Sequence, residues 1–309
     1  DMRGPKMLHI HTTKGKGFAP AEEVPAVWHA PGLFDAETGE RFEVSEEGKP
    51  PRFQDVFGHT VLELAQQNKK IVGVTPAMPT GCSLNIMMEK MPCRCFDVGI
   101  AEGHAVTFSA GMAKAGLVPY CNIYSSFLQR AYDNIIHDVA LPKLHVVFCI
   151  DRAGIVGNDG ATHHGCYDMA VYRTIPGAVI AVPKDEIELK DMMYSAMKAQ
   201  TGPYIIRYPR GNGEGVDWKG HAYAQMETGR GELLLEGSDL AVICAGPFAN
   251  RAVEAAMRMR DEKGWNPSVY NIRYIKPLDT ELLEEASASH SKFVTVEDGS
   301  VLGGLHAAV

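Results

Sequence analysis

The sequence has no long apolar run, no excess of basic residues and no paired-cysteine framework. Each absence excludes a class of protein. No stretch approaches the roughly 20 uninterrupted apolar residues that a membrane-spanning helix needs. Lysine and arginine together number 30 against 38 aspartates and glutamates, a formal net charge of −8 at pH 7. Without a Lys/Arg run, that acidic balance argues against nucleic acid or an anionic membrane as the main partner. Cysteines stand at 82, 93, 95, 121, 149, 166 and 244, an odd count without paired short spacings. They read as free thiols in a reducing compartment, with the cytoplasm as the expected location. The opening Asp1 is not an initiator Met, no secretory leader is visible, and the closing GGLHAAV falls inside what reads as a βα unit. The expectation is a piece of a longer polypeptide.

The remainder is a sequence that folds. Its 309 residues are 45% hydrophobic with interspersed charge, enough to bury a sizeable core and incompatible with disorder as the main state. Residues 1–52 combine a short apolar run (Met7–Ile10), a Gly/Lys loop at Lys14-Gly-Lys-Gly17 and a charged tract ending in linker composition at 45–51. From Phe53 the pattern becomes regular. Short β-branched runs at 70–75, 118–123, 146–150, 178–182 and 204–208 predict strands. Helical spacings lie between them, among them Leu128, Tyr132, Ile135 and Val139 on one face. Asp185 with Glu188 predicts a capping box for a helix that stops before Gly202-Pro203. Apolar rather than alternating strands, separated by helices, imply a doubly wound parallel sheet covered on both faces. Residues 213–230 break the rhythm and read as a linker. A second, smaller and incomplete α/β series follows over 231–309, with strands near 239–245, 268–272 and 292–296 and helices from about Ala249 and over 280–288.

Three segments carry polar chemistry. Glu102 opens an otherwise apolar helix in Asp97–Phe108. It is either a first-turn acid favoured by the helix dipole, or a desolvated carboxyl that shares a proton with a ligand nitrogen. His104, two residues on, reads as a satisfied core histidine. The densest polar cluster is 150–166, which follows a strand and so lies at the carboxyl edge of the sheet, where open α/β folds bind ligands. Glycines 154, 157, 160 and 165 let its backbone approach a ligand, and Arg152 is a cationic fork for phosphate or carboxylate. Asp159, His163 and His164 are acid–base candidates. A zinc site through Asp159, His163 and Cys166, and a purely structural loop, are the competing readings. Arg210, in Arg207-Tyr-Pro-Arg-Gly211, either joins Arg152 on one dianion or is a surface arginine.

Taken together, HIHTTKGKGFAPAE (9–22), WHAPGLFD (28–35), DVGIAEGHAVTFSAGMA (97–113), YSSFLQRAYDNIIHDVA (124–140), DRAGIVGNDGATHHG (151–165) and IIRYPRGN (205–212) resemble the 1-deoxy-D-xylulose-5-phosphate synthases, transketolase-like enzymes that use thiamine diphosphate. The likeness runs over nearly the whole chain. It implies a transketolase-like fold: the tail of a diphosphate-binding domain with linker (1–52), a pyrimidine-binding domain (53–212), a linker (213–230) and a truncated C-terminal domain (231–309).

The resemblance also implies roles. Glu102 matches the glutamate that hydrogen-bonds the cofactor's aminopyrimidine, and Phe127 an aromatic stacked on that ring. Phe18 stands where the family usually has a cofactor-contacting Tyr, so that hydroxyl is lost. Arg152 and Arg210, with Arg130, match phosphate-binding arginines for glyceraldehyde 3-phosphate. Tyr124, Asp159 and His163 match polar groups around the reacting carbon, and His29 a histidine for proton transfer. The implied reaction condenses pyruvate, with loss of CO₂, onto glyceraldehyde 3-phosphate for isoprenoid, thiamine and pyridoxal precursor synthesis, in a homodimer. Gly103 follows Glu102 where the family commonly has Gln. The Gly-Asp-Gly…Asn segment that holds Mg²⁺ and the diphosphate is not in this sequence, so these residues alone are expected to be inactive. The alternatives are transketolase proper, the β subunit of a 2-oxo-acid dehydrogenase and a degenerate regulatory homologue.

Overall fold

In a computed structural model of the chain, residues 3–29, 31–42, 47–199 and 202–309 are described. The chain divides into two units, Asp1–Lys49 and Pro50–Val309. The first has little regular structure: a short helix Ala19–Glu23, a 3-10 turn Val27–His29 and an isolated bridge between Phe34 and Arg41. The apolar run at Met7–Ile10 forms no strand, and Met7, Leu8 and Ile10 are exposed. Among the described residues of this unit no strand offers its backbone a ladder of partners. Ser45 and Glu46 of the expected linker lie outside the described residues.

The second unit is built on strands β1 (Ile71–Thr75), β2 (Cys95–Asp97), β3 (Val118–Tyr124), β4 (Val146–Ala153), β5 (Val179–Ala181), β6 (Pro203–Pro209), β7 (Glu232–Leu235), β8 (Ala241–Cys244), β9 (Ser268–Asn271), β10 (Tyr274–Lys276) and β11 (Phe293–Val296). They form a sheet of order β10-β5-β6-β4-β3-β1-β2 and a second of order β11-β8-β9-β7. Within the first sheet only β10 runs antiparallel, on β5. Strand β4 shows why its run is unbroken apolar: Val146, Phe148 and Ile150 pack on one face, Val147 and Cys149 on the other, and all are buried. A strand covered on both faces has no solvent side to mark with polar residues.

The helix Glu186–Ala199 starts where the capping box placed it. Asp185 Oδ1 accepts from the Glu188 N–H at 2.9 Å, while Glu188 reaches back to the Lys184 N–H rather than to that of Asp185. The linker lies on that helix, with Ala224 N–H donating to Asp191 and Met226 N–H to Ser195. The segment after Tyr124 is less regular than its spacing implies. It passes from an α turn (Ser125–Leu128) through 3-10 (Gln129–Ala131) and α (Tyr132–Asn134) turns into a π-helical turn (Ile135–Ala140). Leu128, Ala131, Ile135 and Val139 are its buried face, and Tyr132 is only half-buried. His104 is not a core histidine: it is exposed and stacks on Phe108 at 5.7 Å. Two residues turn an α-helix by about 200°, so a buried Glu102 sends His104 outward.

Candidate active site

Strands β3, β4 and β6 are neighbours, and their carboxyl ends carry Tyr124, Asp151-Arg152 and Arg207-Arg210. Parallel pairing sets Tyr124 opposite Asp151 and Ala153 opposite Pro209. One edge of the sheet therefore gathers residues spaced across some 90 positions of sequence. The register slips between Ile150 and Ala153, where Arg152 takes a left-handed φ of +59°. That conformation is uncommon for a side-chain-bearing residue and is retained where surrounding contacts fix it.

Those contacts are specific. The Arg152 N–H donates to Asp151 Oδ1 at 2.7 Å. Its Nη1 donates to Asp151 Oδ2 at 2.6 Å, the Gly81 carbonyl at 2.8 Å and Gln54 Oε1 at 3.0 Å. Its guanidinium lies 4.0 Å from the Tyr124 ring centre. Its Nε is buried without a partner. Gly81 is glycine for a reason, since a Cβ there would collide with the Tyr124 hydroxyl. Gly165 is another: a side chain would strike Ser125 Oγ and the Arg152 carbonyl, and its backbone pairs with Gly154 to close the 154–165 loop.

Asp159 stands between the two arginines. Its Oδ2 is 2.9 Å from Arg210 Nε and 3.9 Å from Arg152 Nε. A carboxylate of this chain thus occupies the position an anionic ligand would take. Burial pushes the Asp151 carboxyl up to about 6, against the pull of Arg152. Burial likewise raises the Tyr124 phenol, which the Arg152 charge only partly opposes.

At the other end, Glu102 is the first residue of the helix Glu102–Lys114 and is only 5% exposed. Its Oε1 accepts from Arg130 Nη1 at 2.6 Å, and the Arg130 guanidinium sits 5.0 Å from the Phe127 ring centre. Phe127 stacks on Tyr124 at 5.5 Å and meets the His163 ring edge-on at 5.1 Å. A continuous chain of contacts runs from Glu102 through Arg130, Phe127, Tyr124, Arg152 and Asp159 to Arg210, with His163 on its flank. Arg130 is placed on Glu102 and Phe127, not beside Arg152 and Arg210.

Phe18 and His29 belong to the first unit. Phe18 packs edge-on against Trp28 at 4.9 Å, and exposed His29 receives Lys14 Nζ at Nδ1, 2.9 Å away. Among the described residues no three His, Cys, Asp or Glu side chains gather to hold a metal ion, so the zinc reading of Asp159, His163 and Cys166 finds no support. His164 is held structurally, its Nδ1 accepting from the Val156 N–H at 3.2 Å.

Sequence reasoning passed over one buried group. Arg207, 3% exposed, donates from Nε to Asp168 at 3.0 Å and from Nη1 to Asp298 at 2.9 Å; Asp168 also accepts from Ser125 Oγ. The network ties Asp298, in the bend just after β11, to the start of the helix that carries Phe127. An arginine inside an apolar strand run was the available signal.

Comparison with known proteins now bears on this arrangement. Residues 49–215 match the model of the transketolase pyrimidine-binding domain, and 229–309 that of the transketolase C-terminal domain. The chain belongs to the transketolase family. Its pyrimidine-binding domain carries the constellation just described, and the second sheet lies in the C-terminal domain. The chain is 59% identical over 309 residues to the 1-deoxy-D-xylulose-5-phosphate synthase of Phocaeicola vulgatus, covering all of this chain and 49% of that protein. It is also 59% identical to the synthase of that name from Bacteroides thetaiotaomicron, covering 48% of it. The chain thus spans about half the length of the curated relatives it matches. A solved structure titled split gene transketolase, an inactive β4 tetramer, superposes with a TM-score of 0.75 at 30% identity, over 84% of this chain and 83% of that one. No helix among the described residues is long and apolar enough to cross a membrane, and all seven cysteines are free.

Proposed function

We propose that the complete protein is a 1-deoxy-D-xylulose-5-phosphate synthase, condensing pyruvate with glyceraldehyde 3-phosphate with loss of CO₂. The observation that carries this reading is the contact chain from buried Glu102 to the Asp159-bridged arginines, in a transketolase-family chain closely similar to proteins of that name.

The residues suit thiamine diphosphate. A buried carboxylate accepting an N–H, beside an aromatic face, matches the donors and flat ring of an aminopyrimidine, and Arg130 already makes both contacts with its own planar N–H group. When bound, the cofactor supplies the electron sink for decarboxylating a 2-oxo acid. Glu102 would offer Oε1, held by Arg130 in this structure, to the aminopyrimidine, and its burial would strengthen that bond by excluding water. Phe127 orients the heterocycle. Arg152 and Arg210 grip the acceptor's phosphate; Asp159, whose side chain is a quarter exposed, moves aside into water as the phosphate enters. His163 and Tyr124 lie between the two ends and orient the reacting groups. Phe18 as a cofactor contact and His29 as a proton carrier belong to the same proposal, as do Mg²⁺ held by residues outside this chain, a homodimer and a cytoplasmic location.

The test supplies the complete gene product with thiamine diphosphate, Mg²⁺, pyruvate and glyceraldehyde 3-phosphate. CO₂ release with formation of 1-deoxy-D-xylulose 5-phosphate supports the proposal. Turnover with a ketose donor but not with pyruvate assigns transketolase instead. The match to a split gene transketolase favours a second reading, in which a separate chain supplies the diphosphate-binding part. Co-purification of such a chain, and activity only in its presence, would decide for it.

A further inference from the structure

Arg152 differs from an ordinary binding arginine in how little freedom it has. Its Nη1 carries two hydrogens and has three acceptors within 3.0 Å, from Asp151, Gly81 and Gln54, so that corner is saturated by the protein. The same Asp151 carboxylate takes the Arg152 backbone N–H, locking the left-handed turn that aims the side chain. Tyr124 covers the guanidinium face. What remains is the Nε and Nη2 side of the fork, where Nε is buried and without a partner, 3.9 Å from Asp159 Oδ2 and so beyond hydrogen-bond reach of it. A buried donor left unmade is costly unless a ligand completes it. An oxyanion entering beside Arg210 supplies the missing acceptor.

The clamp is itself braced. Gln54 lies in the first turn of the helix Phe53–Gln67, 8% exposed, with Nε2 donating to Ser83 Oγ at 3.3 Å; Ser83 Oγ in turn donates to Asp55 at 2.7 Å. Neither Gln54 nor Asp151 bonds to Asp159 or Arg210. Their hydrogen bonds reach the anion site through Arg152.

We propose that Gln54 and Asp151 are positioning residues for Arg152, and that through it they set the preference for a phosphorylated over an unphosphorylated aldehyde acceptor. The proposal rests on the reading of Arg152 and Arg210 as the acceptor's phosphate site.

The experiment uses the complete protein with its cofactors, and glyceraldehyde 3-phosphate and glyceraldehyde as paired acceptors. Gln54→Met keeps length and removes the acceptor; Asp151→Asn keeps shape and removes the charge. In each, KM for the phosphorylated acceptor should rise about tenfold or more, while kcat and the glyceraldehyde KM move by less than about twofold. An equal change with both acceptors would mean a merely structural role, and no change would mean no role; either overturns the proposal. Arg152→Ala is the reference. If it separates the acceptors and Gln54→Met does not, positioning is wrong and the phosphate site stands. If Arg152→Ala also treats both acceptors alike, the phosphate site is wrong and the proposal falls with it. Should Gln54→Met not fold, Gln54→Asn keeps the amide one methylene short of Nη1 and gives the same readout.

Discussion

Replacing Arg207 with Leu would remove the cation paired with Asp168. That carboxylate is 2% exposed, with Arg207 Nε at 3.0 Å, Ser125 Oγ at 3.0 Å and the Met169 N–H at 2.7 Å as its partners. Breaking a buried ion pair from one side typically costs about 3–5 kcal/mol, because the other charge stays behind. The cost has a ceiling. Burial already raises Asp168 above its ordinary 3.8, with Arg207 opposing. Stripped of Arg207, Asp168 escapes by taking up a proton, at about 1.36 kcal/mol for each pH unit above 3.8. The penalty is therefore capped near 4 kcal/mol at pH 7 and near 1.6 kcal/mol at pH 5. Asp298 adds little, since its partly exposed carboxylate can rehydrate. Urea unfolding of wild type and Arg207→Leu at both pH values measures the difference. A loss below about 1 kcal/mol at pH 7, or an equal loss at pH 5 and pH 7, would refute the reasoning.

Phe127→Ala should weaken thiamine diphosphate binding about tenfold by removing the ring face, read by titrating the complete protein with cofactor. An unchanged Kd would remove Phe127 from the cofactor's surroundings. Asp151 gives a pH prediction of defined sign. Its folded pKa, about 6, lies above the ordinary 3.8, so the native state binds the extra proton and its contribution to stability falls as pH rises through that window. Asp151→Asn has no proton to lose; relative to wild type, its stability should improve between pH 4 and pH 6, measured by denaturant unfolding, and a constant gap would contradict the assignment.

Legibility followed range in the chain. The buried strand β4 announced itself as an unbroken apolar run, and the capping residues Asp185 and Glu188 sit close enough in sequence to be read together. Strand β10 was missed, because three residues carry no period and its place beside β5 is set by tertiary pairing. Glu102 could be singled out as a lone acid at a helix start, but its partner Arg130 lies 28 residues away on a turn whose irregular winding hides its facing. The hold on Arg152 is the extreme case. Gln54, Gly81 and Asp151 come from a helix, a loop and a strand, and only the folded sheet edge brings them to one nitrogen. Arg207 was visible within its motif, yet its ion pair to Asp298, in the bend after β11, spans 91 residues.

In the proposed mechanism the secluded carboxylate at position 102 handles a proton during turnover. Glu102→Gln keeps the shape and hydrogen-bonding reach of the side chain and removes its basicity, so the complete, folded, cofactor-loaded variant isolates that property. Its kcat with pyruvate and glyceraldehyde 3-phosphate should fall by about 10²–10⁴-fold. A kcat within about twofold of wild type would contradict the mechanism.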